Sequence, residues 1–313
     1  MAKTATGSRH SMGYIVEATY GETPSTPAFE DIRHTSCSIG VSKNSIESAE
    51  IRPDRQIAYL RHGNKSVSGD IGIELSYTSF DDFIEAVFGG AWDIDSPSVG
   101  IDELKAGTTR RSFTIERKFA NLATPEYHRF TGSEINTFSL SVAPDAMITG
   151  SFGVISQDGS IDTAIISGAT YPDPIDTEPF DSFSGSILEG GSSIGTVTSL
   201  ELSLENGLNP LFAVGSNVTA EPIIGKSRLT GTLTAYFQSK TLLDKFLNET
   251  ASTLVFSLVD PDGNEYTFNM PNIKYTGGQP DVEGEGEVTI ALPFTALYDS
   301  AEGSQITLER NPI

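Results

Sequence analysis

A chain of 313 residues with 37% hydrophobic side chains is long enough for about two domains, each with its own core. Its 42 acidic and 20 basic residues leave a formal net charge of −22. That balance argues against gripping nucleic acid, because such binding depends on Lys and Arg displacing counterions from phosphates, although a large negative charge also serves plain solubility.

The amino terminus, MAKTATGSRHSMG, has no apolar stretch that could act as a signal peptide, and no apolar run is long enough to cross a bilayer. Synthesis and assembly in a cytoplasm are therefore expected. The first alternating strand is read at Ser36 to Val41 and contains Cys37, the sole cysteine, so neither an intramolecular disulfide nor a cysteine-based zinc site is expected. Lys43 to Lys65 follows as a long irregular segment. Loops of more than about fifteen residues are uncommon in compact domains unless they have a task. This one mixes Glu47, Glu50 and Asp54 with Arg52, Arg55 and Arg61.

Val67 to Leu75 alternates apolar with small or acidic side chains, the pattern of a half-buried strand. Ser79 is placed to cap a helix in which Phe80, Phe83, Ile84, Val87 and Phe88 recur at helical spacing, with Asp81 and Asp82 in the first turn. Strands are read at Ser112 to Phe119, from Glu126-Tyr127, and at Glu134 to Val142. Ser160 to Pro179, rich in Asp, Pro, Ser and Gly, suits a linker.

The same order then returns. A strand at Val197 to Leu204 precedes an irregular segment, Glu205 to Lys226, and a strand at Leu229 to Phe237. Ser239 begins a helix presenting Leu242, Leu243, Phe246 and Leu247. Further strands are read at Thr253 to Val259, from Glu265-Tyr266, and at Glu287 to Ala296. Ser68-Gly69-Asp70-Ile71 before the first helix matches Thr230-Gly231-Thr232-Leu233 before the second. The fold class is mainly β: a tandem duplication, each unit mostly β with a single helix packed on it. The expected divisions are an arm at 1–11, a unit at 12–160, a linker at 161–177 and a second unit with a C-terminal arm at 178–313. Residues 1–160 carry 14 basic and 21 acidic side chains, net −7, and residues 161–313 carry 6 and 21, net −15.

Catalytic chemistry finds no foothold in the sequence. The histidines, His10, His34, His62 and His128, are far apart, and none lies at metal-ligand spacing from another. No Gly-x-Ser-x-Gly, P-loop or dinucleotide fingerprint occurs. Asp260-Pro261-Asp262-Gly263-Asn264-Glu265 lacks most ligands of a calcium loop and reads as a hairpin turn. Asn217-Val218-Thr219 and Asn248-Glu249-Thr250 are chance matches to a glycosylation acceptor. Asp281, Glu283, Glu285 and Glu287, spaced by two, are expected to place their carboxylates on one strand face. No enzyme activity, cofactor or metal is expected.

Glu50-Ile51-Arg52-Pro53-Asp54-Arg55-Gln56-Ile57 and the run from Gly72 to Phe83 resemble the tail tube proteins of siphophages. Thr198 to Leu202, Leu229 to Gln238 and Lys245 to Thr250 extend the likeness over about Tyr14 to Tyr298. The resemblance implies a structural virion protein of the duplicated tube-domain type, each domain a β-sandwich with one flanking helix, assembled in the host bacterial cytoplasm into stacked rings whose inner strands form one barrel around a lumen for double-stranded DNA. It implies as partners further copies of the chain and the tape measure, tail tip and tail terminator proteins, with no membrane binding. In such an assembly the charged segment from Lys43 to Lys65, with Glu47, Glu50, Arg52, Asp54, Arg55 and Arg61, is expected to pair charges with a neighbouring subunit or ring. The duplication points to a homotrimeric ring with pseudo-sixfold symmetry, a hexamer being the alternative. The lumen is expected to be lined by Asp70, Glu74, Glu201, Ser203, Thr230, Thr232, Glu285, Glu287 and Thr289. Val67, Ile71, Ile73, Leu200, Leu202, Leu229, Leu233, Val288 and Ile290 would then form the cores. Rival readings are another phage tail or injection-system component, a carbohydrate-binding or adhesin-like β-protein, or a β-sandwich hydrolase. The last two want aromatic-rich loops or grooves, and the single Trp92 with scattered tyrosines is a poor supply.

Overall fold

A computed structural model describes residues 4–182, 184–194, 197–282 and 284–312. A 3-10 turn at Gly7–Arg9 leads into β1 (His10–Val16), β2 (Glu30–Asp31), β3 (Ser36–Cys37), β4 (Gly40–Glu47) and β5 (Leu60–Glu74). After α1 (Asp81–Phe88) come β6 (Trp92–Asp93), β7 (Asp102–Lys105), β8 (Phe113–Phe119), β9 (Glu126–Val142), β10 (Thr149–Ser156) and β11 (Asp158–Asp162). The second half holds β12 (Ser186–Glu189), β13 (Ser192–Ser193), β14 (Val197–Glu205), β15 (Asn209–Leu211), β16 (Ala220–Ile223) and β17 (Arg228–Tyr236). Then follow α2 (Thr241–Leu247), β18 (Ser252–Val259), β19 (Glu265–Tyr275), β20 (Pro280–Asp281), β21 (Thr289–Ala296) and β22 (Thr307–Asn311). The protein is mainly β and antiparallel, with two short α-helices among the described residues.

Pairing in the first half runs β4 to β5 to β10 to β9, and on the other part of β9 to β8 and β1, with β11 on its far edge. The second half repeats each step: β14 to β17 to β21 to β19, then β18 and β12, with β22 on the far edge. Gly69 and Gly231 hold matching places. A Cβ on Gly69 would come within 2.5 Å of the Ile39 backbone, and one on Gly231 within 2.5 Å of the Glu201 carbonyl, so only glycine lets these strands approach.

Strand pairing also welds the two halves to each other. β9 pairs with β14, Phe138 opposite Leu204 and Ser139 opposite Ser203, which makes β4–β5–β10–β9–β14–β17–β21–β20 one continuous order. Elsewhere β7 of the first half pairs with β22 of the second. There Arg310 bonds Asp102 at 2.8 Å, pairs with Asp81 and sits 4.4 Å over the Trp92 ring.

Alternation fills the core as expected at most positions. Val67, Ile71, Ile73, Leu200, Leu202, Leu229, Leu233 and Ile290 are all buried. Phe83 of α1 touches both Phe113 on β8 (5.0 Å) and Phe152 on β10 (5.4 Å), so this helix closes the gap between two sheet layers. The second helix is different: none of its residues is buried and Leu247 is 62% exposed, against the reading that Leu247 belongs to its inward face.

Other expectations need correction. Ser79 does not cap α1; its hydroxyl meets Ser76 (2.7 Å) and Thr177 (3.1 Å), and Phe80 occupies the cap position with no side-chain bond. Ser239 accepts the Thr241 N–H at 3.3 Å, as its place before α2 suggests. The two long segments are not irregular throughout. The first is the end of a β4–β5 hairpin, because its polar alternation supports pairing without burial, and the second carries the small β15–β16 pair. The last long strand starts at Thr289 rather than Glu287, because Gly284 and Gly286 weaken strand pairing around Glu285. Val288 is accordingly half-buried and off the strand. The Asp260 to Glu265 segment is the β18–β19 turn, with the Gly263 N–H donating to the Asp260 carbonyl at 2.9 Å and Gly263 at φ 92°.

Candidate functional site

Strand period two gives the continuous sheet two unlike faces. On β14, Leu200, Leu202 and Leu204 are buried while Glu201, Ser203 and Glu205 point the other way, exposed. The pairing register carries this polarity across both halves. One row reads Glu74, Thr149, Ser141, Glu201, Thr232. The next reads Gly72, Ser151, Ser139, Ser203, Thr230, Thr295, and the third Asp70, Gly153, Thr137, Glu205, Arg228. Ser139 and Ser151 bond hydroxyl to hydroxyl at 2.8 Å. The face is concave over its middle, forming an open hollow of about 790 Å³ bounded by β10, β9, β14, β17 and β21.

Six of the nine expected lining residues, Asp70, Glu74, Glu201, Ser203, Thr230 and Thr232, thus share one face of one sheet. Thr289 lies at its end, opposite Tyr236. Glu285 and Glu287 do not join them. Both are exposed in the segment before β21, outside any strand, so the expected carboxylate row on a single strand is not formed there. Glu283, placed in that row, lies outside the described residues. Reasoning from sequence misses the hydroxyls of Thr137, Ser139, Ser141, Thr149 and Ser151, and misses Arg228 as well. Alternation within Glu134 to Val142 is the signal that could have found the β9 set.

The expected charged loop is split. Glu47 stands on β4 opposite Leu60, and Arg61 stands on β5 opposite Ile46. Glu50, Arg52, Asp54 and Arg55 sit in the connecting loop, where Arg52 and Asp54 pair with each other at 2.8 Å. The hairpin leaves Ile46, Ile51, Ile57, Tyr59 and Leu60 more than half exposed.

Its counterpart between β14 and β17 folds back over the first half. The Asn206 amide donates to the Val87 carbonyl (2.8 Å), and the Leu208 N–H donates to Asn136 Oδ1 (2.7 Å). Arg110 binds both oxygens of buried Glu134 (2.6 and 2.7 Å), meets Glu221 at 2.7 Å and donates to the Pro222 carbonyl at 2.9 Å. Burial pushes the Glu134 carboxyl above its ordinary range, and Arg110 opposes that rise.

The fold also joins two histidines that are distant in sequence. His10 Nδ1 and His34 Nε2 are 2.7 Å apart, and Arg117 Nε donates to His10 Nε2 at 3.2 Å. His10 must then carry its proton on Nδ1 and donate to His34, whose own Nδ1–H donates to the Ile32 carbonyl at 2.8 Å. Burial first, then the neighbouring His34 and Arg117, pushes His10 down to about 4. Among the described residues, no group of three His, Cys, Asp or Glu side chains is placed to hold a metal ion, and no helix is long and apolar enough to cross a membrane.

Among curated proteins, none matches the chain. A family model described as phage tail tube protein matches residues 7–296.

Proposed function

Because the chain belongs to the phage tail tube protein family, a structural component of the phage tail, we propose that it polymerises into stacked rings that enclose a conduit for double-stranded DNA. The ring is a homotrimer with pseudo-sixfold symmetry, each chain supplying two tube domains, roughly 12–160 and 178–313. The observation that carries this reading is the uninterrupted sheet, to which each half contributes four strands under one polar face.

Three chains would bring about 24 strands. At roughly 4.8 Å spacing and a tilt near 45°, they close a backbone circle about 50 Å across. After roughly 5 Å per side for side chains, B-DNA about 20 Å wide passes freely.

The polar face then lines the lumen, with Asp70, Glu74, Glu201, Ser203, Thr230, Thr232 and Thr289 toward the DNA. In its three rows the carboxylates of Asp70, Glu74, Glu201 and Glu205 stand against the guanidinium of Arg228, which lies opposite Glu205. The carboxylates repel phosphates within roughly 8–10 Å at physiological salt, and the uncharged hydroxyls between them displace no counterions. The chain performs no catalysis in this role. It assembles in the bacterial cytoplasm, resides in the virion tail, and meets the tape measure, tail tip and tail terminator proteins. A reconstruction of tubes from purified protein tests the reading: three chains per ring with the β14 carboxylates inward is expected. Six whole chains per ring, or those carboxylates on the outer surface, would overturn it.

A further inference from the structure

The seam between the two halves of one chain is, we infer, the template for the contact between chains: the β4 edge and β4–β5 hairpin of one copy dock on the β20 edge and α2 of the next. This rests on the ring reading above and specifies its register.

Matching the halves on Gly69 and Gly231 fixes the correspondence. Ile71 and Val67 flank the first glycine and pair with Cys37 and Val41, whereas Leu233 and Leu229 flank the second and pair with Leu200 and Leu204. Cys37–Ser42 is therefore the counterpart of Leu200–Glu205. On the other side, Ile135 and Ser141 pair with Val154 and Thr149, as Tyr275 and Asp281 pair with Phe294 and Thr289. Residues 277–282 are therefore the counterpart of 137–142.

Inside the chain, 137–142 is zipped to 200–205. Both counterparts are left at sheet edges: β4 pairs only with β5 and β20 only with β21 among the described residues. Applying the in-chain register puts Gly40 opposite Gln279, as Ser203 is opposite Ser139, and Cys37 opposite Val282, as Leu200 is opposite Val142.

A second observation concerns the helices. Phe88 on α1 is 3% exposed and shares a hollow with Leu208, Ile224 and Gly225 of the segment that crosses the seam. Its counterpart on α2, Leu247, is 62% exposed, while the hairpin that corresponds to the covering segment carries Ile51 and Tyr59 exposed by 96% and 65%. Charge agrees. Residues 43–65 hold five Lys or Arg and three acidic side chains, and residues 161–313 carry a net −15. Leu247 on α2 and the exposed apolar side chains of the charged β4–β5 hairpin thus lack in the single chain the cover that the seam supplies elsewhere, while Leu242, Leu243 and Phe246 pack against the chain's own core. A second copy provides both.

The test is disulfide trapping. Gly40→Cys and Gln279→Cys are combined in a Cys37→Ser background; a Cβ at residue 40 meets nothing closer than 3.7 Å, and Gln279 is exposed. Directly opposed residues of paired strands have Cβ atoms about 4.5–5.5 Å apart, within reach of a disulfide after small adjustment. A second variant, Val282→Cys, uses the native Cys37. Mild oxidation of assembled tubes is expected to convert most chains of both variants to covalent trimers on a non-reducing gel, with single-cysteine controls remaining monomeric. Tubes of normal appearance without cross-links in either variant, or failure of both variants to assemble where unsubstituted protein does, would overturn the seam assignment and leave the ring reading standing. Unsubstituted protein that forms neither rings nor tubes would overturn the ring reading and this register with it.

Discussion

Replacing Arg110 by Met should cost about 3 kcal/mol of folding stability, the low end of the roughly 3–5 kcal/mol lost when one partner of a buried pair is removed. Glu134, which Arg110 holds by two bonds of 2.6 and 2.7 Å, is 5% exposed and would be left as a buried charge without a cation. The Arg110 side chain is 28% exposed, so water can partly replace it and the low end applies. The lost bond to the Pro222 carbonyl adds to the effect across the seam. About 3 kcal/mol is a little over a hundredfold in the folding equilibrium, readily read as a shift in urea midpoint of the unassembled chain at pH 7. Adding Glu134→Gln removes the stranded charge and should recover most of the loss. Acid should relieve it as well: without Arg110 the folded carboxyl titrates above its unfolded value, so the penalty is full above that folded pKa and fades as pH falls through it. An Arg110→Met deficit that is flat between pH 7 and pH 5, and equally large with Gln at position 134, would show that Arg110 acts by packing and not by charge.

Lysine at Asp70, Glu74 and Glu201 together should leave tubes intact but slow DNA ejection, more strongly at low salt; virions that eject at the normal rate would remove the proposed role of the polar face. His10 binds its proton only near pH 4 when folded but at its ordinary 6.5 when unfolded. The unfolded chain therefore holds more protons between those values, stability rises with pH across that window and levels off above it, and His10→Asn should flatten the rise in urea midpoints across the same window.

Much of the fold was legible because burial imposes period two wherever one sheet face is covered. Val67 to Leu75, Val197 to Leu204 and Leu229 to Phe237 announce themselves in this way, and Gly69 and Gly231 mark the repeat. What failed was local chemistry. Ser79 has the residue type of a helix cap, but Ser76 and Thr177 compete for its hydroxyl. Glu285 and Glu287 have strand spacing, but alternate with glycines that give a strand nothing to pack. The polar face was only half visible from sequence, because small hydroxyls such as Ser139 and Ser151 carry no pattern of their own. Their place beside Glu201 and Ser203 depends on β9 meeting β14, a pairing between segments far apart in the chain.

That separation along the chain has a consequence for biosynthesis. When β9 leaves the ribosome, its partner at 197–205 has yet to be made. At about 5–20 residues per second, the β9 edge waits roughly 3–13 s. During that interval it is an open strand edge of the kind to which stray chains add. Once β14 emerges, it is tethered to that edge, so its effective concentration is set by the chain that joins them and not by dilution, and dilute competitors lose the edge. Carrying both halves in one polypeptide thus protects each nascent seam from the neighbouring copies that share its shape.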